Sequence, residues 1–200
     1  MAVIYKDTWE VEIMREAGRI AGRALAEVAR MAKPGVSTGE IDAKAEELIR
    51  AGGAKPTFKG YKGYRHTICA SINEEIVHGI PSNERMLKDG DILSIDIGAT
   101  FKGYVGDTAV TVPVGKVSSA ATKIIEATRG ALEAGIAAMA PKRRLSDVAR
   151  AVQQYAESRG FSVVRNYCGH GVGHDMHEEP QVPNYFDPHL SQLAMEMRPG

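Results

Sequence analysis

The sequence predicts a mixed α/β (α+β) fold that is built from two similar halves, each with two helices followed by β-strands. In two separate regions, apolar residues recur at helical spacing, and each region is followed by β-branched runs broken by glycine. With 200 residues and 44% hydrophobic composition, the chain is long enough for one sizeable core. These observations favour one compact domain over two.

The first half begins with an amphipathic helix whose apolar positions run from Val11 to Val28 and end before Pro34-Gly35. Ser37 followed by Glu40 matches a capping box that opens a second helix, and Gly52-Gly53 ends it. From there to about residue 115, β-branched runs punctuated by glycine replace the helical pattern. Three runs predict strands there, namely HTICASI, DILSIDIGA and GDTAVTVPVG.

The second half repeats this order. One helical pattern runs from Ile124 to Met139, another runs from Val148 to Tyr155, and a strand and glycine-rich loop follow. Any two helix-proline-helix-glycine units resemble each other, but each half also offers His-x-x-Pro after its strands, in HGIPSN and HEEPQVPN. A duplicated unit explains this better than chance. We expect a single catalytic-type domain over 1–200 with a pseudo-repeat of 9–115 and 118–200, the second half being incomplete.

Charge and cysteine usage exclude several classes of protein. Lys+Arg and Asp+Glu both total 25, so no overall field recruits nucleic acid or an anionic membrane. The N-terminus lacks the apolar run of a signal peptide, and no stretch is long and apolar enough for a membrane span. We therefore expect a cytoplasmic protein, in which Cys69 and Cys168 are reduced thiols and not a disulfide.

The predicted hairpin DILSIDIGATFKGYVGDTAVTVPVG carries two aspartates inside apolar strands. With the turn centred on Phe101-Lys102, Asp96 faces Asp107 on one side of the sheet, about 5 Å apart at Cβ. Like charges placed in this way destabilise a sheet, and burial raises the cost. Divalent cations between them would remove both costs. From the residues alone, two alternatives stay open: one aspartate caps the turn, or both lie on a solvated face.

The stretch NYCGHGVGHDMHEEP contains three histidines, His170, His174 and His177. The spacing of the first two matches a helical zinc motif, but the alternating glycines oppose a helix and favour a strand or loop. One histidine in such a loop suits a metal ligand and another a donor to substrate. The alternative for any of them is an ordinary surface or core histidine, which we favour for His174.

Three ordered motifs, SINEEIVHGIP, DILSIDIGATFKGYVGDTA and GHGVGHDMHEEPQVPN, resemble those of the type I methionine aminopeptidases, which are pita-bread metallohydrolases. The resemblance extends from near residue 9 to Gly200. It implies a pita-bread fold of two similar halves related by a pseudo-twofold axis around a central antiparallel sheet. It also implies removal of the initiator methionine from nascent proteins when the second residue is small.

Carried over by position, the resemblance makes Asp96, Asp107 and His170 metal ligands and His78 and His177 substrate-facing catalytic histidines. Four further residues fall where the family lines its methionine pocket, namely Tyr61, Tyr64, Cys69 and Met176. Ordinary aromatic packing is the alternative for the two tyrosines. Glu74 and Glu75, beside His78, are expected to be solvated or structural.

The implied cofactors are two divalent metal ions, and the ligand chemistry is compatible with Co, Mn, Fe or Zn. The implied reaction is peptide-bond hydrolysis by a metal-bridging water. The substrate partner is the N-terminal methionine of a nascent polypeptide, with the ribosome as a candidate partner. We expect a monomer that binds no specific nucleic acid and no membrane.

The sequence departs from the family pattern at its end. The family needs two further glutamate ligands from strands beyond the proline-glycine at Gly200, and Glu178, Glu179 and Glu196 do not match them. We therefore expect a truncated version of a longer enzyme, with exposed apolar surface that favours aggregation. Two alternatives remain: an Xaa-Pro aminopeptidase or dipeptidase of the same fold, disfavoured by the absence of an extra N-terminal domain, or a non-catalytic binding module.

Overall fold

The computed structural model describes residues 2–200, which pack as two compact units. The N-terminal unit comprises Thr8–Thr122 and Val172–Met176. The C-terminal unit comprises residues 2–7, Lys123–Gly171 and His177–Gly200. The single domain with an internal pseudo-repeat stays a prediction.

Two helices open the N-terminal unit, as predicted. Helix α1 spans Thr8–Ala29, and helix α2 spans Thr38–Ala51. The predicted capping box is present: Glu40 N–H donates to the Ser37 Oγ over 3.1 Å, and Ser37 N–H donates to the Glu40 carboxylate over 2.8 Å. This reciprocal pair satisfies two donors that the start of a helix leaves without intrahelical partners.

The sheet of this unit is antiparallel and is built around a central strand, β3 (Ile92–Phe101). One edge of β3 pairs with β4 (Tyr104–Pro113). Its other edge pairs with β2 (Ile68–Ile72) and, further along, with the short β1 (Lys55–Pro56). The strand runs HTICASI, DILSIDIGA and GDTAVTVPVG thus form strands as predicted, and only the short β1 has no counterpart among them.

The core lies between the two helices and one face of this sheet. Alternation along β3 sends Leu93, Ile95, Ile97 and Ala99 into that core, where none of them has measurable exposure. Because successive side chains of a strand point to opposite faces, Ser94, Asp96 and Thr100 lie on the other face. The helices therefore cover only the apolar face of the sheet, and the polar face, which carries Asp96, is the candidate location of a functional site.

The C-terminal unit contains most of α3 (Ser119–Ala138), α4 (Leu145–Glu157) and a two-stranded antiparallel sheet of β5 (Gly169–Gly171) and β6 (Glu178–Val182). A small apolar cluster centred on Leu145, Ala149 and Leu193 packs beside α4. The helix pair and the following strands thus recur in the predicted order, and the mixed α/β fold class with its antiparallel sheet is confirmed. Among residues 2–200, no helix is long and apolar enough to cross a membrane.

Candidate active site

The hairpin of β3 and β4 carries both predicted aspartate ligands, but its register differs from the predicted one. Asp96 pairs with Ala109, and Asp107 pairs with Gly98. The predicted direct Asp96–Asp107 pairing is therefore wrong. The reason is the turn, which lies at Lys102-Gly103, one residue later than expected, with φ of 49° and 85°. A two-residue turn with both φ values positive matches the twist of its flanking strands.

The register change leaves both aspartates on the same face, because it displaces the pairing by two residues and not by one. Asp96 and Asp107 become diagonal neighbours, and their carboxyl groups share a side-chain hydrogen bond. Both lie inside strands and away from the turn, which removes the turn-cap alternative. Both side chains are also half-buried, so neither stands on a fully solvated face.

Burial and the neighbouring charge of Asp107 raise the pKa of Asp96 from 3.8 to about 7. Burial is the larger cause, because it disfavours the charged form. Two carboxylates this close are not both stable as anions without a cation, so the protonated form of Asp96 is favoured in the metal-free pair. A divalent cation would neutralise the pair in the same place, so the pair fits a metal ligand set of hard oxygen donors.

Cys69 lies directly opposite Asp96 in the pairing of β2 with β3, so it shares the polar face with the aspartates. Its thiol is free and buried, and burial together with nearby carboxylates raises its pKa to about 11 despite a hydrogen bond with Tyr64. The Tyr64 hydroxyl donates to the Ile68 carbonyl over 2.8 Å, and burial raises its pKa above the usual tyrosine range. Both groups are therefore neutral at pH 7, and this hydrogen-bonded pair lies beside the carboxylates.

Asp42, on α2, supports the strand that carries Cys69, and the sequence analysis did not identify it. One of its carboxylate oxygens accepts hydrogen bonds from the Thr67 and Ile68 N–H groups, over 2.8 and 2.9 Å. The other lies 3.5 Å from the His66 imidazole. Asp42 thus fixes the start of β2, the strand that carries Cys69. No motif marks it, because the contact joins residues that are far apart in the sequence.

The two predicted pocket residues that remain lie elsewhere in the N-terminal unit. Tyr61 begins a short 3₁₀ turn (Tyr61–Gly63), is half-buried, and has the Lys62 ammonium 5.3 Å from its ring centroid. Met176 ends the segment Val172–Met176 and is also half-buried.

His78 lies in the loop that follows β2 and has a left-handed backbone conformation, with φ of 62°. The next residue holds the loop against the strand, because Ala70 N–H donates to the Gly79 carbonyl over 2.8 Å. The His78 side chain is exposed. Glu75 contacts Arg85 over 2.6 Å, which agrees with a structural role for that glutamate.

His174 has a structural role in the N-terminal unit, where its ring lies 4.0 Å from that of the buried Tyr104. Its Nδ1 lies 2.9 Å from the Gly103 carbonyl oxygen, at the turn of the hairpin. Val105 N–H also donates to the Gly173 carbonyl over 2.8 Å. These contacts tie the Val172–Met176 segment to the hairpin, in agreement with the expectation that His174 is an ordinary histidine.

The C-terminal unit brings His170 and His177 together, with ring centroids 4.2 Å apart. His170 lies on β5, where the alternating glycines form a strand and loop as predicted. Its Nδ1 lies 2.9 Å from the Gly171 carbonyl oxygen, which only accepts hydrogen bonds, so Nδ1 carries the proton. In the neutral ring Nε2 then has the lone pair, as a metal ligand requires. His177 is exposed and directly precedes β6.

Within residues 2–200, no group of three or more histidine, cysteine, aspartate or glutamate side chains lies close enough together to hold a metal ion. The features that point to a metal are therefore the Asp96–Asp107 pair in one unit and the oriented His170 in the other.

Comparison with known proteins assigns this arrangement to a family. Residues 12–200 match the model of metallopeptidase family M24. The chain is 52% identical to methionine aminopeptidase 1 of Bacillus subtilis over 99% of its own length and 78% of that protein.

Two solved structures extend the comparison. The methionine aminopeptidase of Thermotoga maritima is similar with a TM-score of 0.94 and 40% identity, over 98% of this chain and 78% of that one. The prolidase of Pyrococcus furiosus follows with a TM-score of 0.79 and 26% identity, over 91% and 52%. These neighbours confirm the pita-bread fold, and a metallopeptidase family implies a divalent metal cofactor. The chain belongs to metallopeptidase family M24.

Proposed function

We propose that this protein is a methionyl aminopeptidase, which hydrolyses the first peptide bond of proteins that begin with methionine followed by a small residue. The observation that carries the proposal is the 52% identity to a methionine aminopeptidase across 99% of the chain. The three motifs on which the resemblance rests contain the aspartates and histidines described above. The similarity to a prolidase is weaker, at 26% identity, and does not favour the Xaa-Pro alternative.

Of the ligands that the family resemblance implies for two divalent ions, this sequence supplies Asp96, Asp107 and His170. Carboxylate oxygens with one imidazole nitrogen are compatible with Co, Mn, Fe or Zn. Bound ions of this kind supply Lewis acidity and lower the pKa of a water molecule towards neutrality. Because a cation would compete with a proton for the Asp96 and Asp107 carboxylates, affinity for the metal would rise with pH through the range in which Asp96 titrates.

The remaining residues act on the peptide. His177 donates a hydrogen bond to the oxyanion that develops on the scissile carbonyl, and His78 hydrogen-bonds the scissile amide nitrogen or the neighbouring backbone. Tyr61, Tyr64, Cys69 and Met176 enclose the methionine side chain. The neutral thiol and phenol described for Cys69 and Tyr64 suit a thioether, because neither brings a charge into an apolar pocket.

The proposed setting is the cytoplasm, where the protein acts as a monomer on nascent polypeptides, with the ribosome as its candidate partner. No specific nucleic acid and no membrane is required for the reaction.

The test is release of methionine from Met-Ala-Ser by metal-supplemented protein, compared with cleavage of an Xaa-Pro peptide. Met-Ala-Ser should be hydrolysed and the Xaa-Pro peptide should not. Asp96→Ala and Asp107→Ala should each abolish release and weaken metal binding measured by calorimetry. Glu12→Ala, which removes an exposed carboxylate on α1, should change neither.

Three outcomes would contradict parts of this proposal. Cleavage of only the Xaa-Pro peptide would identify a prolidase-type enzyme. Peptide binding without hydrolysis would identify a binding module. Unaltered turnover by Asp96→Ala would remove that residue from the ligand set.

A further inference from the structure

The loop that carries His78, residues 73–80, is exposed along most of its length. Ile76 and Ile80 on either side of the histidine are 60% and 58% exposed, so packing contributes little to their positions. Two of its residues, Asn73 and His78, have left-handed backbone conformations with φ of 57° and 62°. Such conformations cost energy in residues other than glycine and persist only when surrounding contacts hold them.

Asp91 and Ile92 hold Asn73, and Arg85 contacts the rest of the loop on both sides of His78. At the exit, its guanidinium donates to the Ile80 carbonyl over 2.8 Å and to the Ala70 carbonyl of β2 over 3.2 Å. At the entry, it donates to the Glu75 carboxylate over 2.6 Å. One side chain therefore joins the two ends of the loop to each other and to the adjacent strand.

Glu75 completes the connection at the entry, because the carboxylate oxygen that accepts from Arg85 also accepts from Ile72 N–H over 2.9 Å. Glu75 thus links the guanidinium to the last residue of β2. At the exit, Gly79 lies so close to β2 that a Cβ there would meet the Ala70 carbonyl oxygen at 2.3 Å. Arg85 thus connects the two ends of the segment from Glu75 to Ile80, which contains His78. We call this hydrogen-bonded segment, together with Arg85, the clasp.

We propose that Arg85 and Glu75 form a positioning pair that fixes the direction in which His78 presents its imidazole to the substrate. The inference rests on the proposed function, because it requires His78 to contact the peptide. Glu75 lies in the motif SINEEIVHGIP, but the family resemblance makes neither Glu75 nor Arg85 a metal ligand or a substrate contact. Arg85 is not expected to contact the reacting atoms. Its effect on the reaction passes through His78.

The chemistry of the clasp needs arginine and not only a positive charge. Three acceptors converge on Arg85, and a planar guanidinium offers donors in fixed directions that an ammonium does not. Arg85→Lys should therefore restore only part of what Arg85→Met loses. Misplacement of a reacting group by about 1 Å can cost on the order of 100-fold in rate. We expect Arg85→Met to lower kcat/KM by roughly 10- to 100-fold, mainly through kcat.

A double-mutant cycle with His78→Ala tests the inference. If Arg85 acts through His78, Arg85→Met should cost little further activity once His78 has been removed. Equal losses in the presence and absence of His78 would overturn the inference, as would no loss in either. Glu75→Gln, which keeps the shape of the side chain, should follow the same pattern and provides the test if Arg85→Met does not fold. Arg30→Met removes a similar exposed pair with Glu27 and should leave kcat/KM unchanged.

A second measurement does not depend on activity. In metal-free protein, Arg85→Met should speed amide hydrogen exchange at Ala70 and Gly79, whose N–H groups bond the Gly79 carbonyl and the Ser71 hydroxyl. If the exchange rates equal those of the wild-type protein, Arg85 does not hold the loop against β2 and the clasp does not exist. Failure of the unvaried protein to release methionine would instead contradict the proposed function. The two failures are therefore distinguishable.

Discussion

At the scale of single residues, Asp96 and Asp107 show how an apolar strand tolerates two acidic groups. The flanking isoleucines Ile95 and Ile97 are fully buried on one face, while the carboxyls meet on the other, where burial and the Asp107 charge favour the protonated form of Asp96. The same arrangement is unfavourable for two anions and favourable around a cation. The pair is therefore least stable in the metal-free protein at a pH high enough to remove that proton.

This electrostatic cost predicts a pH dependence for the metal-free protein. Its folded form binds more protons at Asp96 than the unfolded chain does between pH 3.8 and about 7. The free energy of unfolding should therefore fall as pH rises through that window, by at most about 1.4 kcal/mol per pH unit from this group. Urea unfolding in EDTA at pH 5, 6, 7 and 8 measures it. Asp96→Asn should flatten this slope and Glu12→Gln should not, whereas an unchanged slope in Asp96→Asn would contradict the assignment.

Residue identities at the site were readable from the sequence to different degrees. The positions of Asp96 and Asp107 inside apolar strands marked them as unusual before any contact was known. Asp42 and Arg85 were not marked, because carboxylates and guanidiniums are common in any sequence and the partners of these two lie elsewhere in the chain. Periodicity and motif spacing report which face a residue occupies, but not which distant backbone groups it will meet.

At the scale of secondary-structure elements, the hairpin shows where pattern reasoning fails. The strand runs were identified correctly, but the turn was placed one residue early, and the pairing changed from Asp96–Asp107 to Asp96–Ala109. Gly103, directly after Lys102, was the available signal, since a two-residue turn with positive φ favours glycine at its second position. The face of each residue survived the error because the displacement was even.

The contact of α1 with β4 predicts opposite effects for one substitution on its two sides. A Cβ on Gly106 would lie 2.4 Å from the Gly18 backbone nitrogen and 2.5 Å from the Ala17 carbonyl carbon, and backbone atoms of a helix cannot move aside cheaply. Gly106→Ala should therefore cost about 1–3 kcal/mol of stability. A Cβ on Gly18 meets nothing within 4 Å, so Gly18→Ala should stabilise the helix by up to about 1 kcal/mol.

Urea unfolding of the two variants beside the unvaried protein measures both effects. Equal changes in the two variants would mean that helix propensity, and not the close approach of α1 to β4, decides the outcome. Because Gly106 precedes Asp107, the Gly106→Ala variant should also weaken metal binding by more than Gly18→Ala does.

At the scale of the whole molecule, charge and apolar exposure act in the same direction. The formal net charge is +0 at pH 7 and the isoelectric point is about 7.0, so no net repulsion keeps copies apart at that pH. Exposed apolar surface was predicted from the sequence and is confirmed on α3. Leu132 and Ile136 there are 59% and 58% exposed, and Met139, directly after the helix, is 56% exposed. The departure from the family pattern thus predicted exposed apolar surface, although not the helix that would carry it.

These two properties predict that non-specific association of the protein at high concentration is strongest near pH 7 and that α3 contributes to it. Leu132→Lys and Ile136→Lys should each reduce association by removing apolar surface and adding charge, with little change in unfolding free energy because the replaced side chains are already exposed. Ala137→Lys adds the same charge at an exposed position of α3 without removing a large apolar group, and so separates the two causes. Static light scattering against concentration at pH 6, 7 and 8 provides the measurement. If Ala137→Lys reduces association as much as Leu132→Lys does, net charge alone accounts for the effect and the exposed face of α3 is not the contact surface.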